Sequence, residues 1–375
     1  MAKYKIAWLP GDGVGNDVME AAKIVLDALK LNADYIHGDV GWEFWKKEAT
    51  ALPDRTVKLL KETDCCLFGA ITSKPKEEAE KELLPEFQGK GCIYLSPILR
   101  IRQEFNLHTN FRPCKAYKGN LLNYRDDIDL AIFRENTEGL YSGIEFYPLP
   151  EQVRDVLLEN NPRMKKFQTT PLDEIALSCR FITKKASRSI VRQGFEYAKK
   201  NNKKSVTLIE KPNVLRETSG LIVREARKIA KDYPGIELWE TNIDAMGMWL
   251  VKNPERYSVL VATNLFGDII SDLAAQLVGG LGFTSSANIG DDYALFEPTH
   301  GSAPKYAGLY KVNPTAMLSA VVLMLNYLKE DKLAHKIEDA IARVIEEGKV
   351  RTYDLGGTAS TLDVAREVAS KIQSN

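Results

Sequence analysis

The sequence has no excess of charge of either sign, because 51 lysines and arginines balance 51 aspartates and glutamates among its 375 residues. Proteins that bind nucleic acids usually carry a basic excess, so a nucleic-acid partner is not expected. Long apolar runs are also missing, and no segment reaches the length that a membrane-spanning helix requires. The first residues pass directly into a strand-like run without the apolar region of a signal peptide. A membrane partner is therefore not expected either.

Cysteine and histidine are both scarce. The five cysteines are an odd number without a Cys-x-x-Cys spacing, and the four histidines are scattered along the chain. Disulfides and a zinc site are therefore not expected, and a reducing, cytoplasmic location is predicted. Repeats and Pro/Gly/Ser-rich linkers are absent as well, and only the polar segment 148–170 is predicted to be a surface insertion.

Apolar strand-like runs alternate with amphipathic helical patterns along the whole chain, which predicts an α/β fold. Helices are predicted at 17–28, 187–199, 220–231, 314–328 and 361–372. Five strand-like runs end in glycine, charged or amide residues, and they lie at 6–9, 65–68, 130–133, 206–209 and 259–263. Ligands of open α/β folds bind beyond the carboxyl ends of the strands, so these five ends are expected to form one site.

Two aspartates follow the last of these strands. Asp268 and Asp272 are four residues apart in a helical pattern, which places both carboxylates on one face of a helix. This spacing offers two hard oxygen ligands to a divalent cation. The alternative is an acidic first turn that is solvated and favoured by the helix dipole.

A glycine-rich segment follows the first strand, Gly11-Asp12-Gly13-Val14-Gly15. It resembles the G-x-G-x-x-G dinucleotide fingerprint, but Asn16 stands where the third glycine is required. A tight strand-to-helix turn that needs glycine dihedral angles explains the segment without a ligand. A Rossmann site is therefore not predicted here.

Several other side chains near the ends of elements suit an anionic ligand. Arg102, Arg112 and Arg134 are able to bind carboxylates in two-point contacts, and beside a cation they would form a pocket for a small polyanionic acid. Tyr141 suits a proton donor and Lys211 suits a base. For each of these residues, a surface or packing role is the commoner alternative.

The segment 297–308 is rich in small residues and contains two prolines. It is predicted to be a long irregular loop, and such loops in compact domains are often functional. Lys305 in this loop suits a phosphate group and Tyr306 suits a ring, with a purely structural loop as the alternative.

The motifs of the chain, in their order, resemble those of the β-decarboxylating dehydrogenases, a family that includes isocitrate, 3-isopropylmalate, homoisocitrate and tartrate dehydrogenases. The similar segments cover nearly the whole chain and are PGDGVG (10–15), LRIRQEFNLHTNFRP (99–113), RENTEGLYSG (134–143), EKPN (210–213), DAM (244–246), NLFGDIISD (264–272), SANIGD (286–291) and EPTHGSAPKYAG (297–308). The resemblance implies an α/β isopropylmalate dehydrogenase-like fold with two domains around a cleft, without the usual Rossmann fingerprint. It implies a large, discontinuous cofactor-side domain from 1–108 plus 262–375, and a small inserted domain, 109–261, that carries the interface of a homodimer with shared active sites.

The resemblance also implies roles for residues at matching positions. The implied ligands of Mg²⁺ or Mn²⁺ are Asp268, Asp272 and, from the partner subunit, Asp244. The implied substrate-binding residues are Ser96, Arg102, Arg112, Arg134 and Asn213. The implied acid and base are Tyr141 and Lys211, with Lys211 also coming from the partner. The implied cofactor-binding residues are Thr72, Glu297, His300, Gly301, Lys305, Tyr306, Val312, Asn313 and Tyr353.

Details of the motifs favour one substrate and one cofactor. The segment 134–145 resembles isocitrate and homoisocitrate dehydrogenases, and Ser96 matches a serine of isocitrate dehydrogenases. Ile98 stands where isocitrate enzymes usually have asparagine, and an apolar residue there resembles isopropylmalate enzymes. NAD-linked relatives usually have Asp-Ile at the positions of Lys305 and Tyr306, so NADP is favoured and NAD remains an alternative. Gly357 departs from the NADP pattern, in which an arginine is usual.

The implied reaction is the metal-dependent oxidative decarboxylation of isocitrate to 2-oxoglutarate, a step of the tricarboxylic acid cycle, with homoisocitrate and 3-isopropylmalate as alternative substrates. Two other classes remain alternatives. A regulatory subunit would have lost the catalytic residues, all of which are present here. A metal-dependent hydrolase would also use two aspartates and a lysine, but it would not need the loop with Lys305 and Tyr306.

Overall fold

The structure is a computed structural model that describes residues 2–374. Over this range, every helix is too short or too polar to cross a membrane. The five cysteines are free thiols, and three of them lie in the interior.

Ten strands form one mixed sheet, and two short strands pair outside it. In chain order the strands are β1 (Tyr4–Gly11), β2 (Ala33–His37), β3 (Cys65–Ala70), β4 (Thr109–Lys115), β5 (Asp129–Glu135), β6 (Glu145–Phe146), β7 (Leu177–Ser178), β8 (Ser205–Glu210), β9 (Glu237–Asn242), β10 (Val259–Ala262), β11 (Ser285–Ile289) and β12 (Ala294–Pro298). Across the large sheet their order is β2-β1-β3-β12-β11-β4-β5-β10-β8-β9, and β6 pairs with β7.

The two outer parts of the sheet are parallel, and its centre is antiparallel. β2, β1, β3 and β12 run in one direction, while β5, β10, β8 and β9 also run side by side. Between the two parts, β12 pairs with β11, β11 with β4, and β4 with β5, each time antiparallel. Three reversals of direction separate the two parts, so they point in opposite directions.

The expectation that five strand ends form one site is therefore wrong. The carboxyl ends of β1 and β3 lie at the opposite edge of the sheet from those of β5, β8 and β10. Ligands bind beyond the carboxyl ends of strands in parallel sheets, where all these ends share one edge. The antiparallel centre of this sheet, which places them at two edges, is not visible in the local sequence pattern.

The helices of the described range are α1 (Val14–Leu29), α2 (Trp42–Glu48), α3 (Asp54–Lys61), α4 (Lys76–Lys81), α5 (Pro97–Glu104), α6 (Glu151–Asn160), α7 (Lys184–Lys200), α8 (Thr218–Ile229), α9 (Ile243–Lys252), α10 (Asn264–Leu277), α11 (Thr315–Tyr327), α12 (Asp331–Glu347) and α13 (Thr361–Gln373). The five predicted helices are confirmed as α1, α7, α8, α11 and α13. Their ends differ from the prediction by a few residues, because the ends of a helix are set by local caps that periodicity does not detect.

The largest apolar cluster joins α1, α11, α12 and α13 to β1, β3 and β12. The helical spacing of Ile337, Ile341 and Val344 places all three on one face of α12, and all three are buried. Smaller clusters lie between α7, α8 and the strands β5, β8 and β10, and beneath α9 and α10.

The segment 148–170 contains α6 and a 3₁₀ turn (Pro162–Phe167), and Leu149 is its one buried side chain. This confirms the predicted surface position. The division into a domain of 1–108 plus 262–375 and a domain of 109–261 stays a prediction, because the large sheet runs through both segments without interruption.

The glycines of 11–15 form a tight turn rather than a Rossmann loop. Gly11 and Gly13 have φ angles of 74° and 55°, which favour glycine. A Cβ atom at Gly13 would lie 2.2 Å from the carbonyl oxygen of Ser302, and the amide of Val14 donates to that oxygen at 2.9 Å. The turn therefore packs against the loop of 297–308.

Candidate active site

The antiparallel centre of the sheet has one polar face and one apolar face, because side chains alternate along a strand. Asn110 on β4 pairs with Arg134 on β5, and Phe111 pairs with Phe133. The two phenylalanine rings stack with centroids 4.9 Å apart on the apolar face. On the polar face Arg112 and Arg134 are 9% and 1% exposed, so two of the three predicted substrate arginines are buried side by side.

α10 lies directly on this polar face because it has a glycine at the contact. A Cβ atom at Gly267 would lie 2.6 Å from the Cγ of Arg134. Arg134 forms an ion pair with Asp268, and the Nη1 of Arg112 donates to Asp272 Oδ1 at 2.9 Å. Two of the predicted metal ligands are therefore held by the arginines that are predicted to bind the substrate.

Burial and charge set the protonation of this cluster. Burial lowers the pKa of Arg134 to about 10, although the charge of Asp268 acts to raise it. Burial also acts to raise the pKa of Asp268, but the charge of Arg134, the hydrogen bond from Tyr141 and the charge of Arg112 outweigh it and bring that pKa below 3.8. Asp268 is therefore a carboxylate at neutral pH, which a metal ligand must be.

Tyr141 lies in a short 3₁₀ turn (Leu140–Ser142) beside this cluster. Its hydroxyl donates to Asp268 Oδ2, and the guanidinium of Arg134 lies 5.0 Å from the centre of its ring. Burial, followed by the neighbouring carboxylate of Asp268, raises the pKa of Tyr141. The phenol keeps its proton at neutral pH, which is the form that a general acid requires.

Lys211 and Asp244 form a second, separate group. Lys211 follows β8 and pairs with Asp244 in the first turn of α9, with side chains that are 22% and 66% exposed. The hydrogen bond from Lys211 lowers the pKa of Asp244. Asn213, two residues after Lys211, is exposed. Over residues 2–374 no hydrogen bond or ion pair joins Lys211 or Asp244 to α10.

The acidic residues fit a divalent cation only in part. Asp268 and Asp272 are carboxylates on adjacent turns of α10, with side chains 30% and 60% exposed, so both offer oxygen atoms to a ligand. Within the described part of the chain, however, no three His, Cys, Asp or Glu side chains are close enough to hold a metal ion. The donor atoms suit Mg²⁺ or Mn²⁺, so the described residues offer two carboxylates and leave the other coordination positions to further oxygen atoms.

The third predicted substrate arginine, Arg102, lies on α5 and is 7% exposed. Its Nη2 is 3.4 Å from Glu297 Oε1 on β12, and burial lowers its pKa while the charge of Glu297 acts to raise it. Ser96 precedes α5, is partly exposed and makes no capping hydrogen bond with its side chain. Ile98 packs against the apolar cluster that lies beneath α5.

Four of the predicted cofactor residues surround the start of the loop of 297–308. The hydroxyl of Thr72 lies 2.7 Å from that of Ser302, and Glu297, His300 and Gly301 precede Ser302 in the chain. Burial lowers the pKa of His300, and its Nε2 is a buried atom without a hydrogen-bond partner among the described residues. A neutral imidazole with a free nitrogen suits a polar ligand atom.

The remaining predicted cofactor residues lie later in the loop of 297–308 and at positions 312, 313 and 353. The rings of Tyr306 and Tyr353 stack with centroids 5.7 Å apart, and Lys305 is exposed beside them. Asn313 donates to Asp354 Oδ2 at 3.1 Å, and the carbonyl of Val312 accepts the hydroxyl of Thr361.

Four buried asparagines that contact the arginines or one another were not predicted: Asn110, Asn136, Asn264 and Asn288. Asn264 Oδ1 accepts Nη2 of Arg134 at 2.7 Å, and Asn288 Oδ1 accepts Nε of Arg102 at 2.9 Å. A signal was present in two strands, because polar residues alternate in Asn110-Phe111-Arg112 and in the SSANI of β11.

A buried ion pair was also missed. Arg180 Nη2 lies 3.2 Å from Glu210, which is 1% exposed. Glu210 also accepts hydrogen bonds from the hydroxyls of Ser219 and Thr263. Glu210, the residue before Lys211, is therefore linked to Thr263, the residue before α10. No local pattern in the sequence pairs residues so far apart.

Comparisons with known proteins show the family to which the chain belongs. A profile of the isocitrate/isopropylmalate dehydrogenase family matches residues 5–369. The chain is 41% identical over 373 residues to the 3-isopropylmalate dehydrogenase of Methanothermobacter thermautotrophicus, with 100% of both chains covered. It is also 41% identical over 364 residues to the protein DlpA of Legionella pneumophila. That alignment covers 97% of this chain but only 58% of the longer relative.

The fold is similar to that of a solved structure as well. The crystal structure of isocitrate dehydrogenase from Methylococcus capsulatus superposes with a TM-score of 0.85 at 37% identity, and 99% of each chain is covered. The predicted fold class is thereby confirmed.

Proposed function

The chain belongs to the isocitrate/isopropylmalate dehydrogenase family, and we propose that it catalyses the metal-dependent oxidative decarboxylation of isocitrate with NADP⁺ as the favoured cofactor. The observation that carries this proposal is the cluster of buried Arg112 and Arg134 with the partly exposed Asp268 and Tyr141, in which cationic, anionic and proton-donating groups are in contact. Such a cluster suits a substrate with several carboxylates, because guanidinium groups bind carboxylates in two-point contacts.

Each side chain has a definite task in this reaction. When they are bound, the divalent cation supplies Lewis-acid polarisation and the nicotinamide supplies a hydride acceptor. Arg102, Arg112 and Arg134 bind and orient the carboxylates, and their burial excludes water from these contacts. Tyr141 holds a proton at its phenol oxygen and delivers it to the carbon that loses CO₂.

Lys211 acts as the base that assists removal of the hydroxyl proton, and we propose that it reaches the site of a second subunit together with Asp244. Two observations support a homodimer with shared sites. Among the described residues, no hydrogen bond or ion pair joins Lys211 or Asp244 to α10. Met248 and Val251 follow Asp244 on the same face of α9 and are 53% and 47% exposed, which is typical of an interface.

Isocitrate is favoured over the other acids because Ser96 matches a serine of isocitrate dehydrogenases and the segment 134–145 resembles isocitrate and homoisocitrate dehydrogenases. Ile98 is the residue that resembles isopropylmalate enzymes, and its contacts with the apolar cluster beneath α5 support a packing role. Homoisocitrate and 3-isopropylmalate remain the alternative substrates, since the relatives act on more than one of these acids, as their names state.

NADP is favoured because Lys305 and the stacked pair of Tyr306 and Tyr353 offer a cation and two hydroxyls to a 2′-phosphate. Gly357 departs from that pattern for a local reason, since a Cβ atom there would lie 2.0 Å from the carbonyl oxygen of Arg351. NAD therefore remains the alternative cofactor. A cytoplasmic location is proposed from the five free cysteines.

The test is a set of initial rates with isocitrate, homoisocitrate and 3-isopropylmalate, each with Mg²⁺ and with NADP⁺ or NAD⁺. We expect isocitrate with NADP⁺ to have the highest kcat/KM. Preference for another acid would contradict the substrate assignment and leave the roles of Tyr141 and Lys211 intact. The absence of turnover with every pair would favour the regulatory-subunit alternative.

A further inference from the structure

We propose that Asn288 is a positioning residue that orients the guanidinium of Arg102 for the substrate. It also fixes the position of that guanidinium relative to Glu297, one of the predicted cofactor residues. Asn288 belongs to the SANIGD segment, which the proposed function leaves without a role. The inference rests on the proposed function in one respect, because it takes Arg102 to bind a substrate carboxylate.

The amide oxygen of Asn288 is a hub for three donors. It accepts Nε of Arg102 at 2.9 Å, Nδ2 of Asn110 at 2.8 Å and Nδ2 of Asn136 at 3.0 Å. Asn288 is 0% exposed, so water does not compete for these bonds. An acceptor that is buried and accepts several hydrogen bonds keeps a fixed orientation. The hydrogen bond from Nε therefore fixes the orientation of the Arg102 guanidinium as well.

The amide nitrogen of Asn288 completes the arrangement. It donates to Glu297 Oε1 at 2.7 Å, and the same oxygen lies 3.4 Å from Nη2 of Arg102. Asn288, Arg102 and Glu297 therefore form a closed triangle. These contacts use two of the five N–H donors of the guanidinium and leave the others for a carboxylate of the substrate.

The amide of Asn288 meets both requirements, because one side chain carries an acceptor and a donor. A carboxylate at 288 would accept from Arg102 but would face the carboxylate of Glu297, and an apolar side chain would leave Arg102 Nε without its acceptor. The strand is also held close to α5. A Cβ atom at Gly290 would lie 2.9 Å from the carbonyl oxygen of Asn106 and 3.0 Å from that of Phe105, so β11 passes directly beneath the end of the helix that carries Arg102.

The test compares Asn288→Leu with Asn120→Leu in steady-state kinetics of the full-length enzyme. Asn120 is a matched control, since it is 5% exposed and donates to the carbonyl of Val278 at 3.1 Å, away from the arginines. We expect Asn288→Leu to raise the KM for the acid by about ten- to a hundred-fold, the effect of losing a hydrogen bond to a charged group. Its kcat should change much less, and Asn120→Leu should alter only the melting temperature.

A double-mutant cycle separates positioning from general damage. If Asn288 acts through Arg102, then adding Asn288→Leu to Arg102→Met should change kcat/KM for the acid by less than about two-fold. Asn288→Ser, which is smaller and adds no apolar group, serves in the same cycle if the leucine variant does not fold.

The outcomes are distinct. The role of Asn288 would be overturned if Asn288→Leu lowered kcat/KM for the acid equally with and without Arg102. It would also be overturned if Asn288→Leu and Asn120→Leu changed kcat, the KM for the acid, the KM for the cofactor and the melting temperature alike. In both cases the proposed function stands. A wild-type enzyme without turnover of any of the acids would instead overturn the proposed function, and the substrate role of Arg102 with it.

Discussion

The two halves of the candidate site differ in how far a single chain completes them. In the half around α10, Arg134 is almost fully buried and contacts Asp268, Asn264 and Tyr141. In the half after β8, Asp244 is exposed and Lys211 is partly exposed, and among the described residues neither forms a hydrogen bond or ion pair with α10. The arginines proposed to bind the substrate are therefore held within one chain, whereas the proposed base has one ionic partner near the surface.

The difference follows from where a charge is stable. A buried guanidinium needs several partners to offset the loss of water, and the sheet centre supplies them. Lys211 is partly exposed and keeps part of its hydration, so its charge needs less support than that of Arg134. The comparison leads to four predictions, which are given from the largest expected effect to the smallest.

Lys211→Met should reduce kcat by about 100- to 10,000-fold, because it removes the proposed base. The fold should be little affected, since among the described residues Asp244 is the hydrogen-bond partner of the Lys211 ammonium group. Lys252→Met, at an exposed lysine near the end of α9, is the control and should keep full activity.

Mixing the Lys211→Met variant with Asp268→Asn tests whether each active site is shared between two subunits. Half of the re-formed dimers would be mixed and each would hold one intact site, so activity should return to about a quarter of the wild-type value. Two inactive variants that stay inactive after unfolding and refolding together would show that each site is built from one chain only.

Arg134→Met should destabilise the fold by about 3 kcal/mol, because it leaves Asp268 and Asn264 without the charge that they surround. Urea unfolding at neutral pH measures this change. The matched variant in the other half is Asp244→Asn, which removes an exposed charge and should leave the unfolding midpoint where it is. Equal midpoints for both variants would contradict the contrast between a buried and an exposed half.

Met248→Glu should weaken association of two chains by about 100-fold or more, because two buried charges would enter the proposed interface. Sedimentation velocity over a range of concentrations measures the dissociation constant. Leu121→Glu changes another exposed apolar side chain, 69% exposed, and should not affect association. A wild-type chain that sediments as a monomer at micromolar concentration would refute the shared site.

The smallest expected effect is on stability at acid pH. The pKa of Asp268 lies below 3.8 in the folded chain, so the unfolded chain binds a proton first as the pH falls. The stability that this carboxylate contributes is present above pH 3.8 and is lost as the pH falls through the folded pKa. Asp268→Asn should therefore lose less stability than the wild type between pH 5 and pH 3, as followed by urea midpoints. Parallel curves for the two proteins would contradict it.

Local patterns were reliable where one segment decides the result. The five predicted helices exist because their apolar positions repeat with helical spacing, and Asp268 with Asp272 lies on one helix as their spacing indicates. The strand-end argument failed because the direction of a strand depends on its neighbours in the sheet. The pairing of β4 with β11, for example, joins residues that are far apart in the chain.

The sequence by itself determined the kinds of elements, the chemistry of the candidate residues and the family resemblance, because each depends on residue types and short spacings. Only the tertiary structure decided that Arg112 and Arg134 are buried together, that Asn288 joins Arg102 to Glu297, and that Lys211 pairs with Asp244. These contacts arise when distant segments pack, and the free energy of burying a charge or an amide depends on every neighbour that packing brings.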